Sequence, residues 1–194
     1  MGILQKISVL FTNATGGLSH AAPVAIVNKG GHKTALSITR PANILAYTAG
    51  DVVGVADAVT PANPGSGVLE FVATGTFEGS IRINSVDLRV DLSAVPVGMG
   101  AFVLHLYDAA PDAVLDNAAW TLSSAGDRAK YLGSVSLGSP AVAGATLFSQ
   151  VEGVNKQVQI KEGVTSLFGV LVTAGGYIPA AGTVYAVRLH ATEL

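Results

Sequence analysis

The chain has 194 residues, 49% of them hydrophobic and only 12% charged, with a net charge of −2 and no cysteine. That balance offers no basic face for nucleic acid and no attraction for an anionic membrane, and the missing thiols exclude disulfides, thiol chemistry and thiolate metal sites. No apolar run reaches the roughly 18 residues of a membrane-spanning helix, so the mean hydropathy of +0.50 points to a surface partly covered by partners, with alanine and glycine inflating the tally.

Ile7, Val9 and Phe11 alternate with Ser8 and Leu10, which predicts a first strand. Residues 1–6 lack the basic start and long apolar core of a secretory signal, so the Asn13-Ala14-Thr15 sequon is discounted. The absence of cysteine agrees with folding in a reducing cytoplasm. Residues 12–31 are rich in Gly, Ala, Asn and Ser, and read as an extended arm with a short strand at 24–27. Glycine pairs and small polar side chains bury too little to order themselves, so this arm is expected outside the compact core. A strand at 34–39 stops at Arg40-Pro41, and another at 51–56 follows the turn Ala49-Gly50-Asp51. Residues 60–67 form a loop, because Pro61 and Pro64 remove donors while Gly65 and Gly67 open positive φ angles.

A strand at 68–74 precedes the clearest signal in the chain. In residues 80–92 apolar and polar side chains alternate, but Ile81 and Ile83 are odd-numbered whereas Val86, Leu88, Val90 and Leu92 are even. One buried face therefore requires an extra residue near Asn84-Ser85, a β-bulge in a long bent strand. In residues 101–108, Phe102, Leu104 and Leu106 share one face, and Val103, His105 and Tyr107 the other. Apolar bulk on both sides predicts a central strand covered twice, with Phe102, Leu104 and Leu106 between the sheets.

Residues 116–130 are the helical candidate, with Asp116 or Asn117 to cap one turn and Ser123 or Ser124 to cap another. Strands resume at 131–137, 145–150, 157–161, 166–173 and 183–191, separated by glycine turns. Roughly ten short strands between Gly/Pro turns predict an all-β fold, an antiparallel β-sandwich of jelly-roll type. The expected organisation is an N-terminal strand and extended arm over 1–40 and a β-sandwich domain over 41–194.

The chemistry-bearing residues form no recognisable site. Gly30-Gly31-His32-Lys33-Thr34 lacks the glycine that a phosphate loop places before its lysine. His20, His32, His105 and His190 are too far apart in sequence to pair locally as ligands. His105 reads as a packed histidine and His32 as a solvated one. Asp108, Asp112 and Asp116 would align only on a helix, against which Pro111 argues, so they read as loop or capping acids. Gly65-Ser66-Gly67 is a turn rather than a nucleophile elbow. Trp120, the sole tryptophan, reads as a core plug. No catalytic, metal or cofactor-binding residue is assigned, no cofactor is expected, and the protein is not expected to be an enzyme.

Several stretches carry a resemblance. Tyr47-Thr48-Ala49-Gly50-Asp51-Val52-Val53-Gly54 resembles an opening seen in small tailed-phage virion proteins. The later Leu104-His105-Leu106-Tyr107-Asp108-Ala109-Ala110-Pro111, Asp116-Asn117-Ala118-Ala119 and Lys130-Tyr131-Leu132-Gly133 follow in the same order as in those proteins. So do residues 167–173, Tyr177-Ile178-Pro179 and residues 183–189. The resemblance runs from about Tyr47 to Leu189 and brings no catalytic residues. It implies an all-β virion structural protein of a tailed bacteriophage. Within it, Gly50 would supply the positive φ of a turn, Asp51 would bond nearby amides, and Asn117 would do similar turn or capping work.

The expected function is that of a capsid decoration, or cement, protein located in the virion. It would contact the major capsid protein or other virion proteins and stabilise the head. A homo-oligomer is expected, with a trimer preferred on the resemblance. No nucleic acid or membrane partner is expected. The alternatives are a tail or fibre component that binds the host surface, and a carbohydrate-binding β-sandwich module.

Overall fold

Period-two alternation along most of the chain folds into antiparallel sheets. The computed structural model describes residues 10–12, 18–20, 31–58, 67–72, 79–122, 124–162 and 165–194. The strands are β1 (Leu10–Thr12), β2 (Leu18–His20), β3 (Gly31–Thr39), β4 (Val68–Phe71), β5 (Ser80–Val90) and β6 (Phe102–Tyr107). After one short helix, α1 (Ala125–Lys130), come β7 (Tyr131–Gly138), β8 (Ala141–Ala143), β9 (Thr146–Gln159), β10 (Leu167–Thr173) and β11 (Val184–Glu193).

The chain divides into two units, Met1–Gly30 and Gly31–Leu194. In the first, β1 pairs antiparallel with β2, Phe11 opposite Ser19. The remainder of the expected arm, including the strand at 24–27, lies outside the described residues, as does most of the 60–67 loop.

In the second unit, a four-stranded sheet of order β4-β10-β6-β7 packs on a five-stranded sheet of order β3-β11-β5-β9-β8. Setting β8 aside, every connection among the other eight strands crosses between the sheets except β6 to β7. The first of these strands, β3, lies beside the last, β11. This interleaving is the jelly roll. Residues 31–39, which the sequence groups with the N-terminal segment 1–40, belong to the sandwich. The physical reason is nine-residue pairing with β11, from Gly31↔Thr192 to Thr39↔Val184, with Ile38 buried in the core.

The core lies between the sheets. Ile81, Ile83, Val86, Leu88 and Val90 of β5 are all fully buried in it. The change from odd to even is absorbed at Asn84: the register with β11 shifts between His190 and Ala191, and with β9 between Ile83 and Ser85. Asn84 Nδ2 donates to Thr192 Oγ1 at 2.6 Å, which gives the bulged side chain a partner. Phe102, Leu104 and Leu106 of β6 face the same core, as their spacing predicts.

Three elements differ from the sequence reading. Residues 51–56 do not form a strand; Asp51 and Val52 make single bridges to Ala119 and Val172. The backbone there turns its bonds to two neighbours, Val52 N to Ala118 O and Val53 N to Leu171 O. Residues 145–150 and 157–161 fall largely within one strand, β9, because Gly153 (φ +65°) and Asn155 (φ +48°) take up the irregularity inside it. The helical region shrinks to α1, where Ser124 Oγ accepts from Asp127 N at 2.9 Å. Residues 118–120 are held instead by Trp120 N donating to Gly50 O.

Candidate functional site

The four-stranded sheet has a second covered face. Residues 47–54 and 114–122 lie over its outer side, with Val52, Val114, Trp120 and Leu122 packed on Tyr107, Val170 and Val172. This is why β6 carries apolar bulk on both faces. The two segments run into each other through backbone bonds: Val52 N to Ala118 O at 2.8 Å, Asn117 N to Val52 O at 2.9 Å, and Asp116 N to Ala56 O at 2.7 Å.

At their junction is a buried polar clasp. Arg40, at the end of β3, points its Nη2 at Asp116 Oδ2, 3.1 Å away, and both side chains are wholly buried. The Tyr47 hydroxyl donates to Asp116 Oδ1 at 2.5 Å, and Gly54 N donates to the same oxygen at 2.9 Å. Arg40 Nε donates to the Tyr47 hydroxyl at 3.3 Å, and its other nitrogens reach Asn43 O at 2.6 Å and Asn43 Oδ1 at 2.9 Å. The guanidinium carbon also lies 5.2 Å from the Tyr47 ring centroid. Gly54 has no room for a side chain, since a Cβ there would sit 2.8 Å from Asp116 N.

The electrostatics follow from this geometry. Burial opposes charge on Arg40, but the Tyr47 hydrogen bond and the Asp116 carboxylate outweigh it and raise its pKa. Burial, reinforced by the bond to Asp116, raises the Tyr47 phenol far above its ordinary value. A buried carboxylate with a guanidinium, a phenol and an amide around it is a satisfied group with no side left for a substrate.

The turn that leads into the clasp is built as its residues predict. Gly50 has φ +96°, and Asp51 Oδ2 accepts from Thr48 N at 2.5 Å and Thr48 Oγ1 at 3.0 Å. Asn117 adopts φ +60°. With its amide nitrogen turned toward the two acceptors, it donates to Asp51 Oδ2 at 3.1 Å and Ala46 O at 2.8 Å. Sequence reading finds Tyr47, Gly50, Asp51, Gly54, Asp116 and Asn117 in separate motifs, and the structure joins them. Arg40 and Asn43 carry no local sign of this role. The only hint is a cation wedged between an apolar strand and a proline.

Next to the clasp is an aromatic layer. His105 stacks on Trp120 with ring centroids 3.6 Å apart, and its Nδ1 is 3.0 Å from the Tyr131 hydroxyl. Trp120 Nε1 donates to the Tyr107 hydroxyl at 3.0 Å. Burial lowers the His105 pKa to about 4. Trp120 thus closes the outer face of the four-stranded sheet rather than plugging the core between the sheets.

The other flagged residues go elsewhere. His32 is half-buried on β3, with Nε2 3.4 Å from Glu193, so it is not the solvated loop residue its neighbours predict. His190 Nε2 lies 3.2 Å from Asp87 Oδ2, and Arg188 Nη1 3.7 Å from the same atom. Asp87 and Arg188 border a shallow cavity of about 220 Å³ on the outer face of the five-stranded sheet, with Arg89, Phe148 and Ala186. Asp112 N donates to Asp127 Oδ1 at 3.1 Å, while Asp116 sits in the clasp, so these acids do not converge. Among the described residues, no three His, Asp or Glu side chains are grouped to hold a metal ion.

Fold and clasp together define an all-β jelly-roll domain braced across one sheet by its loops. No protein-family model matches the chain, and no curated protein matches it. Among solved structures it is similar to a chain of the cyanophage Pam1 capsid asymmetric unit, at 15% identity and TM-score 0.33, covering 94% of this chain and 97% of that one. It is also similar to a chain of the native virion of Kashmir bee virus at acidic pH, at 12% identity and TM-score 0.31, covering 100% and 94%.

Proposed function

We propose that the protein is a virion structural protein of a tailed bacteriophage and acts as a capsid decoration protein. The observation that carries this reading is the clasp. Tyr47 and Gly54 of one motif resembling those of small tailed-phage virion proteins both donate to Asp116 of another, across the fold. Motif residues that hold each other in place are what a shared scaffold requires. The same residues leave no open reactive group, which supports work by contact rather than by catalysis.

In this reading the sandwich lies on the outer surface of the head, in contact with the major capsid protein or other virion proteins, as a homo-oligomer for which a trimer is preferred. A decoration protein strengthens a shell by adding buried area between neighbours, and a stable contact needs about 1,200–2,000 Å². The carbohydrate-binding alternative wants aromatic faces presented to solvent. Here His105 covers a face of Trp120, which counts against it. The experiment is a comparison of particles with and without the protein. Loss of the protein should leave heads that assemble but rupture at lower temperature or on osmotic shock. Particles of unchanged robustness that fail to adsorb to cells would favour the tail or fibre alternative.

A further inference from the structure

The two sheets of the sandwich present different outer faces. Loops pack over that of the four-stranded sheet, with Trp120 among them. The outer face of the five-stranded sheet carries a trough over its central strands. Ala35 of β3 and Ala186 of β11 make a low floor, and Phe148 of β9, 37% exposed, stands at one side. Along β5 every second residue points out of the sheet, which sets Asp87, Arg89 and, just past the strand's end, Asp91 in a row about 7 Å apart. Two cavities adjoin at Arg89 and Ala186. The one of about 220 Å³ also has Asp87 and Arg188 on its wall, and the other, of about 330 Å³, has Asp91 and Thr146.

The fold does not use up the polar groups of this trough. Asp87 is 7% exposed. Its Oδ2 meets His190 Nε2 at 3.2 Å and Arg188 Nη1 at 3.7 Å. Its Oδ1 is buried without a hydrogen-bond partner, and so is Arg188 Nε. A buried acceptor and a buried donor left unmade both cost free energy, which a ligand that pairs with them recovers. The Arg188 side chain is 40% exposed and held by the one 3.7 Å contact, so a turn of its outer torsions opens both atoms to the trough. Neither Arg89 nor Asp91 is in an ion pair among the described residues.

We propose that this trough binds a neutral saccharide, with one sugar unit in each cavity. Its lining selects against the other classes. Asp87 and Asp91 repel an anion, Arg89 and Arg188 repel a cation, and an apolar ligand would strip water from all four and return no hydrogen bond. An extended peptide adds to a sheet at its edge, whereas the trough runs over β11 and β5, which are paired on both sides. A hydroxyl both donates and accepts. Neighbouring sugar hydroxyls therefore donate to Asp87 Oδ1 and accept from Arg188 Nε, and in the second cavity Asp91 and Arg89 offer the same pairing. Phe148 and the two alanines give the C–H face of a sugar ring an apolar bed. The site adds to the structural role above and makes no use of Trp120, which lies on the other sheet. It is tested on the protein alone, so its failure is separate from that of the virion role.

The experiment is a titration of the full chain with maltose, cellobiose, lactose and mannobiose at millimolar concentration, followed by backbone amide chemical shifts. The expected result is saturable shifts at Ala35, Arg89 and Ala186 with at least one of these disaccharides. Ala186→Leu fills the floor that the two cavities share, and Arg89→Ala removes the donor between them; each should weaken binding about tenfold or more. Both side chains point away from the core, so the melting temperatures should match the native one. Arg82→Ala, exposed on the same strand outside the trough, should leave binding unchanged. No shift with any of the four sugars, shifts that fall elsewhere, or binding that survives Ala186→Leu overturns the proposal. So does binding of glucuronic acid alone, or a trough shielded by purified major capsid protein and by none of the sugars.

Discussion

Tyr47 and Asp116 lie 69 positions apart in the chain, yet the phenol hydroxyl donates to the carboxylate at 2.5 Å inside the protein. This bond joins the loop after β3 to the loop after β6, and Arg40 closes it from the end of β3. The sandwich is therefore held along one flank by a charge network as well as by its apolar core.

Removing one member of the clasp exposes its cost. Asp116→Ala leaves the Arg40 guanidinium buried without a counter-ion, and should destabilise the fold by about 3–5 kcal/mol. Tyr47→Phe removes the bond to Asp116 and the longer one from Arg40 Nε but keeps the ring and the ion pair, so the loss should be smaller, about 1.5–3 kcal/mol. Urea denaturation midpoints at constant slope measure both. Equal, small losses for the two variants would show that the clasp does not act as a network.

The bulge at Asn84 sets which side chains of β5 face inward. Deleting Asn84 should put Ile81 and Ile83 on the outer face, or force the rest of the strand out of register. The expected outcome is loss of cooperative unfolding and appearance in the insoluble fraction. Asn84→Ala keeps the residue count and loses only the bond to Thr192, so it should fold with a loss of about 1 kcal/mol.

Truncation inside the sandwich tests the core. Leu104→Ala and Leu106→Ala remove fully buried side chains from the central strand and should each cost about 2–5 kcal/mol. A value below about 1 kcal/mol would contradict the packing described for these residues.

Acid should weaken the protein through His105. Its folded pKa is lowered to about 4 by burial, below the usual value of about 6.5. The unfolded chain therefore takes up a proton before the folded one does as pH falls. The stability from keeping this ring neutral is whole above about pH 6.5 and drains away down to about pH 4. The total for a shift of this size is on the order of 3 kcal/mol. Unfolding free energies at pH 7, 5.5 and 4 should show this slope in the native chain and a shallower one in His105→Gln. An unchanged slope would refute the assignment.

Much of the sandwich is legible in the sequence because its strands are amphipathic with a period of two. The break from odd to even in residues 80–92 exposes the bulge, and bulk on both faces of residues 102–107 exposes the central strand. What is not legible is set by contacts distant along the chain. Residues 51–56 look like a strand by composition, but their bonds are divided between Ala118 and Leu171. Arg40 reads only as the residue that stops a strand until the fold brings Asp116 to it. His32 looks solvated until β3 pairs with β11 and sets it beside Glu193. The motifs point to the clasp one piece at a time, and only folding brings the pieces together.

The central claim, that this is a decoration protein of a phage head, is tested most directly by electron cryomicroscopy of intact particles carrying the chain. The account predicts density for the jelly roll on the outer surface of the capsid shell, repeated with the symmetry of the lattice and seated where capsid subunits meet. Density confined to the tail or a fibre, or particles that lack the protein altogether, would contradict it.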